Sequence, residues 1–448
     1  MERASRYLQM SNHLYTTPEN QFVRMLYATR TATMAYLPTT EADALLRGNI
    51  PSISAESLAA LREAEALVDV DCDERSQVLE RQREVTRDRS HLRYVLLPTT
   101  YCNMGCTYCG QEHRRGGLSS SHREAVAQRV LAGIARATTS SVRISWFGGE
   151  PMVGYSVVRQ LSSRFVAAAD NADVGYEATM ITNGSLLTAD KLATLHNECK
   201  VWRFDITLDG PAEIHDVHRP LKNGGKSFDH ITRIISAALK DPSLSRLVFV
   251  LRTNVDIRNV DWVDAYLDQI AALGFANDQI FMNIAPVYSW GNDVSELAIE
   301  RARFAEHELR WMTRMNKLGL RFKAVPTNTV GALCAAVTRA TEVHSSTGNL
   351  FSCSEYPLVP EHEASGGLGR IGDLPTLELR PTGPFDDWHD AIAAGETPCH
   401  SCPFLPVCGG ACPKQWREGK GLCPTYKYDI QNRLDLVARM SGLAIVAT

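Results

Sequence analysis

Arg93-Tyr94-Val95-Leu96-Leu97-Pro98, followed by Cys102-Asn103-Met104-Gly105-Cys106-Thr107-Tyr108-Cys109, is the stretch that decides the fold. Its first six residues are an apolar, aromatic-containing run of strand type. The cysteines behind it stand at C-x3-C-x2-C spacing on a short loop. From residue 92 onward the same grammar repeats, with strand-like runs at 142–147, 177–182, 201–208, 247–252 and 279–284 and helical segments between them. Ser121 and Glu124 have capping-box spacing ahead of Val126, Val130 and Ile134. Gly274 follows Val263, Leu267 and Ile270 as a natural helix stop. Six strands alternating with helices predict parallel pairing with right-handed crossovers, an α/β domain of about 200 residues. In such sheets and barrels the chemistry sits at the carboxyl ends of the strands, where this cysteine loop falls.

The whole chain has 448 residues, more than one hydrophobic core usually serves. Hydrophobic residues make up 44% and charged residues 22%, which excludes a disordered or fibrous chain. A formal net charge of −4 gives no sign of a nucleic-acid or membrane partner. The opening MERASRYLQMSNHL has no secretory apolar stretch, and no run is long enough to span a bilayer, so a cytoplasmic protein is expected.

Outward from the alternating region, residues 1–85 read as a separate α+β module. QFVRMLYA and TATMAYLP read as the two strands of a hairpin, and Leu58, Leu61 and Leu67 fall at helical spacing. ERSQVLERQREVTRDRS reads as a charged, solvated helical spacer. Residues 86–320 hold the strand–helix alternation. Residues 321–448 are loop-rich and hold seven cysteines, a composition that needs metal to order it. Of twelve cysteines, only Cys72 and Cys199 lie outside the two groups, and both read as small buried hydrophobes.

Cys102, Cys106 and Cys109 can hold three corners of a cubane iron–sulfur cluster and leave the fourth iron open. A zinc knuckle completed by His113 is the alternative. The stretch resembles the radical S-adenosylmethionine (SAM) enzymes, through these cysteines, Tyr108, and Trp146-Phe147-Gly148-Gly149-Glu150-Pro151 after the second strand. Thr182-Asn183-Gly184, Thr207-Leu208-Asp209-Gly210 and His215-Asp216-x-x-Arg219 extend the likeness to about residue 290. The resemblance implies a partial (β/α)6 TIM-like barrel carrying one [4Fe–4S] cluster and SAM. It also implies cofactor contacts from Tyr108, Gly148, Gly149, Glu150, Thr182, Asn183, Thr207 and Arg219. Arg252, at the end of the fifth strand, suits a carboxylate, with an ion pair to a neighbouring acid as the alternative.

The second group comprises Cys334, Cys353, Cys399, Cys402, Cys408, Cys412 and Cys423. It resembles the SPASM extension, with a zinc ribbon as the plain alternative. The resemblance implies two auxiliary clusters of [4Fe–4S] type. Cys399, Cys402, Cys408 and Cys423 would hold one, and Cys412 would cross over to Cys334 and Cys353. VPTNTVGAL before Cys334 contains no cysteine, so the second cluster is expected to lack a fourth thiolate.

Together these resemblances imply a maturase in which a 5′-deoxyadenosyl radical takes hydrogen from a precursor peptide and installs a cross-link or related modification. A leader on that peptide would be a partner of the N-terminal module, and a flavodoxin or ferredoxin would donate electrons. A sulfatase-type Ser/Cys-oxidising maturase is the second enzyme reading. A zinc-stabilised peptide-binding protein is the reading from another class.

Overall fold

The computed structural model describes residues 1–446 apart from Leu377. The chain opens with strands β1 (Glu2–Ala4), β2 (Leu8–Met10), β3 (Tyr15–Thr16), β4 (Phe22–Ala28) and β5 (Thr33–Pro38). The expected hairpin is β4–β5, antiparallel from Val23↔Pro38 to Ala28↔Thr33. Helices α1 (Thr39–Leu46) and α2 (Ala55–Glu63) pack with Leu26 and Ala28 on one face of β4. Leu67 does not continue α2: Glu65 takes a left-handed φ of 50°, which ends the helix, and Leu67 enters β6 (Leu67–Asp69), paired with β1.

Helix α3 (Glu74–Arg87) corrects the expectation of a solvated spacer. Glu74, Val78, Leu79 and Gln82 are buried along one face, and Val78 and Leu79 pack with Trp388, Ile392 and Leu405. That stripe is narrow and lies among many charges, so composition alone hides it.

The central sheet carries β7 (His91–Leu96), β8 (Ser141–Trp146), β9 (Gly175–Thr182), β10 (Val201–Thr207), β11 (Val248–Val255) and β12 (Ile280–Pro286), all parallel and in sequence order. Between them run α4 (Ser120–Ile134), α5 (Tyr155–Ala172), α6 (Ala189–Asn197), α7 (Ala212–His218), α8 (Phe228–Ala238) and α9 (Val263–Ala272), and α10 (Arg301–Lys317) follows β12. This is the partial (β/α)6 barrel. Ser119 rather than Ser121 caps α4, accepting from the His122 N–H. Residues such as Leu92, Tyr94, Leu96, Val142, Ile144 and Trp146 are buried toward the helices. Their alternates, among them Ser145, Thr179, Asp205, Thr207 and Arg252, line an open lumen. The strands therefore alternate in polarity because the barrel interior is left for a ligand.

Past residue 320 the chain returns to the same sheet: β13 (Thr341–His344) adds parallel to β7, and β14 (Leu350–Phe351) turns back on β13. The buried Arg129–Glu342 pair, with two contacts of 2.6 Å, bolts β13 to α4. Helices α11 (Pro360–Ser365), α12 (Trp388–Ala393), α13 (Leu405–Cys408), α14 (Pro413–Arg417) and α15 (Tyr426–Met440) follow, then β15 (Ala444–Ile445). Helix α15 packs behind β4, and β15 pairs with β3. The C-terminal segment thus adds β13 and β14 to the central sheet and β15 to the sheet of β2 to β5. No helix among the described residues is long and apolar enough to cross a membrane.

Candidate active site

The first cysteine loop leaves β7 and hangs between two backbones. The Gly105 N–H donates to the Pro220 carbonyl at 2.9 Å, and the Lys222 N–H to the Asn103 carbonyl at 2.9 Å. On the other side the Glu150 N–H donates to the Tyr101 carbonyl at 3.0 Å. Gly149 must be glycine here, because a Cβ would lie 2.6 Å from the Tyr101 carbonyl oxygen. The thiols of Cys102 and Cys109 both feel the charge of Cys106. Burial pushes Cys102 up to about 11, so an iron's positive charge is what would hold it as thiolate.

The Glu150 carboxylate is fully buried and turned toward the chain itself. It accepts from the Met152 N–H at 2.9 Å, the Thr182 hydroxyl at 2.6 Å and the Asn183 N–H at 2.6 Å. Burial raises its pKa, while these donors and Arg219 pull it down. The Asn183 amide donates to Asn103 at 2.8 Å and reaches Cys102 Sγ at 3.8 Å. Glu150, Thr182 and Asn183 therefore brace the cysteine loop against β9.

Tyr108 and Arg219 belong to a second brace. The Tyr108 hydroxyl donates to Asp209 at 2.6 Å and accepts from Asn254 at 3.1 Å and from Arg219. His218 bridges Asp209 and Asp256 at 3.1 Å each, and Arg258 continues the chain from Asp256 to the Thr107 hydroxyl at 2.7 Å. Hydrogen bonds and charges from the two aspartates raise the His218 pKa against its burial, and Asp209 is lowered by Arg219 and His218. Asp209 stood in a quoted motif, but His218, Asn254, Asp256 and Arg258 carried no spacing signal. They meet only because the ends of β10 and β11 are neighbours. Thr207 and Arg252 instead face the lumen, beside Phe147 and Glu355, with Arg252 donating to Asn254 at 2.9 Å. Burial lowers the Arg252 pKa, and no acid is paired with it among the described residues.

Of the remaining cysteines, Cys399, Cys402, Cys408 and Cys423 line one pocket, with the Lys427 ammonium 3.4 Å from Cys423. Cys334, Cys353 and Cys412 form the other set, each within electrostatic reach of the next. Burial pushes Cys408 up to about 11, whereas Cys334 is exposed. No three His, Cys, Asp or Glu side chains among the described residues meet closely enough for a single metal ion. A four-iron cube holds its thiolates further apart than one ion does. His113 takes no part: burial lowers it to about 4 and its nearest partner is Gln111 at 3.4 Å. Cys199 is buried as expected, whereas Cys72 is partly exposed and donates to Gln77 at 3.3 Å.

Residues 96–258 match the model of the radical SAM superfamily. An uncharacterized protein of Synechocystis is 28% identical over 35% of this chain and 40% of its own length. A serine-type anaerobic sulfatase-maturating enzyme of Bacteroides thetaiotaomicron is 27% identical over 31% and 34%. The chain thus spans less than half the length of these curated relatives. The solved anSMEcpe with bound AdoMet superimposes with a TM-score of 0.58 at 17% identity, covering 79% of this chain and 98% of that one. The same protein was also solved with AdoMet and a Cp18Cys peptide, at a TM-score of 0.57, 16% identity and coverages of 78% and 99%. The part of the barrel from the last residue of β7 to just beyond β11 is thus what matches the radical SAM superfamily.

Proposed function

We propose that this chain is a radical SAM maturase that takes hydrogen from a precursor peptide and installs a cross-link or related modification. Cys102, Cys106 and Cys109 would hold the radical-forming cluster. Cys399, Cys402, Cys408 and Cys423 would hold one auxiliary cluster, and Cys334, Cys353 and Cys412 the other. When bound, SAM and the reduced cluster supply a 5′-deoxyadenosyl radical. The chain's own part is positioning: the two buried braces fix the cysteine loop at the mouth of the lumen. Arg252 and Thr207, which line the lumen, are the groups that would meet the methionyl carboxylate and ribose, and the Gly148 and Gly149 backbone lies against the segment leading into the cysteine loop.

The observation that carries this reading is the gathering of ten cysteines into three thiol sets, two of them outside the radical SAM domain. Peptide as substrate draws support from the peptide-bound anSMEcpe. The outer edge of β5 pairs with no strand among the described residues, and so offers a leader peptide a place to add a strand. An electron donor of flavodoxin or ferredoxin type completes the scheme. The sulfatase-type reading keeps a place through the Bacteroides relative.

The test is anaerobic reconstitution with iron and sulfide, reduction, and addition of SAM. About twelve irons per chain and release of 5′-deoxyadenosine are expected. A colourless, zinc-loaded protein that leaves SAM intact would overturn the reading. Tandem mass spectrometry of a candidate precursor peptide incubated with the loaded protein then separates a cross-link from an aldehyde.

A further inference from the structure

The barrel lumen is a cavity of about 580 Å³, and a second of about 470 Å³ adjoins it, the two sharing Trp202, Arg203 and Asn283. Their charge runs against that of the whole chain, which carries a formal −4. Arg93, Arg143 and Arg203 line the lumen at the amino ends of β7, β8 and β10. Arg321 and Lys323 line the adjoining cavity, and the Arg321 carbonyl accepts from the Met282 N–H of β12 at 2.8 Å. Five cations thus gather at the end of the barrel opposite the cysteine loop.

The acids around them answer only part of this charge. Asp205 takes Arg203 at 2.6 and 2.9 Å, and Glu177 takes Arg143. Glu308 lines the second cavity but pairs with Arg433. Glu355 also lines the lumen, but the cations within its reach are Lys414 and Arg252. Arg321 donates to the backbone carbonyl of Asp278, and Arg93 and Lys323, both exposed, have no ion pair among the described residues. The strand register makes this arrangement costly. Arg93 stands directly opposite Arg143 on adjacent parallel strands, about 4.8 Å apart, and like charges so placed repel. An anion between them replaces that repulsion by attraction. A cavity walled by one sign of charge also focuses its field inward and draws in a ligand of the opposite sign.

We propose that the amino end of the lumen takes an acidic segment of the substrate peptide, whose Asp or Glu side chains meet Arg93, Arg143, Arg321 and Lys323. The inference rests on the peptide-modifying reading and adds a substrate class to it: a precursor with carboxylates close to the modified residue. The spacing follows from β7. From Arg93 to Leu97, just past the end of that strand, four residues at about 3.3 Å each span about 13 Å. An extended peptide threading the lumen covers that distance with about four of its own residues. The acidic residues therefore lie about four positions from the one that is modified.

The test uses the full-length, cluster-loaded protein and N-acetyl-tetraglutamate amide, a probe with side-chain carboxylates and no terminal one. Calorimetry should detect its binding in about 0.05 M salt and show it weaken as salt rises to about 0.5 M. N-acetyl-tetraglutamine amide should bind at least about tenfold more weakly, and the same peptide ending in a free acid should gain little. Combining Arg93→Gln, Arg321→Gln and Lys323→Gln should weaken the acidic probe about tenfold. Arg47→Gln, at an exposed arginine just past α1, should leave it unchanged. Iron content and 5′-deoxyadenosine release report folding and loading of each variant. If the triple variant fails either, Lys323→Gln alone, at an exposed side chain, should weaken the probe about threefold. Equal binding of the two blocked probes, binding that needs the free acid, or lumen variants without effect overturn the inference. Wild-type protein that releases no 5′-deoxyadenosine from SAM fails the broader reading, whereas intact release without tetraglutamate binding fails only this one.

Discussion

His218→Gln removes the cation that two buried aspartates share. Asp209 and Asp256 are 0% exposed, and His218 bridges them with contacts of 3.1 Å each. Removing one member of a buried charge pair typically costs about 3–5 kcal/mol. Asp209 keeps Tyr108 and the Asn254 N–H, and Asp256 keeps Arg258, so the low end of that range, about 3 kcal/mol, is expected. The sign of the pH dependence follows from the raised pKa. In the unfolded chain His218 titrates near its ordinary 6.5, and in the folded protein it titrates higher. Its stabilising charge is therefore fully present below about 6.5 and fades as pH rises through the folded value. Urea unfolding of both proteins, from about pH 6 to about pH 10, should show a penalty that shrinks as pH rises. A penalty that stays constant across that range, or below about 1 kcal/mol throughout, would refute the view of His218 as a buried imidazolium. Because the same network holds Tyr108 and Thr107, SAM cleavage should fall in parallel with stability.

Replacing Cys102, Cys106 and Cys109 together by Ala should abolish 5′-deoxyadenosine release while the iron of the other two thiol sets is kept; undiminished release would remove the assignment. Gly149→Ala puts a Cβ 2.6 Å from the Tyr101 carbonyl oxygen, so the cysteine loop must shift, at a cost of about 1–3 kcal/mol seen as a lowered urea midpoint. A Gly149→Ala protein with unchanged midpoint and SAM cleavage would show that the backbone contact is slack. Any one of Cys399, Cys402, Cys408 and Cys423 changed to Ser should lower iron content by up to about four per chain without touching the radical-forming set. On β5, single prolines at Met34 and Ala35 should differ. The one whose N–H faces β4 lowers stability, and the one whose N–H faces outward weakens leader binding, read by fluorescence anisotropy.

The sequence by itself determined the barrel. Each strand is a short apolar run, each helix carries periodic apolar positions, and connections between parallel neighbours have only one favoured hand. It also delivered the cysteine loop, because ligands spaced two or three residues apart are local and need no tertiary contact to be seen. Signals were lost where charge masked burial. The thin apolar stripe of Val78 and Leu79 sits in a helix whose composition looks solvated, and only its partners Trp388 and Leu405 explain it. The end of α2 before Leu67 was likewise invisible, because Glu65 gives no propensity-level warning of a left-handed turn. Tertiary structure alone decided that Glu150 turns inward and that His218 and Asp256 join Tyr108. It alone closed the N-terminal sheet with β15. Those pairings link residues tens to hundreds of positions apart. Which polar group loses its water, and which neighbour replaces it, is fixed only once the strands have come side by side.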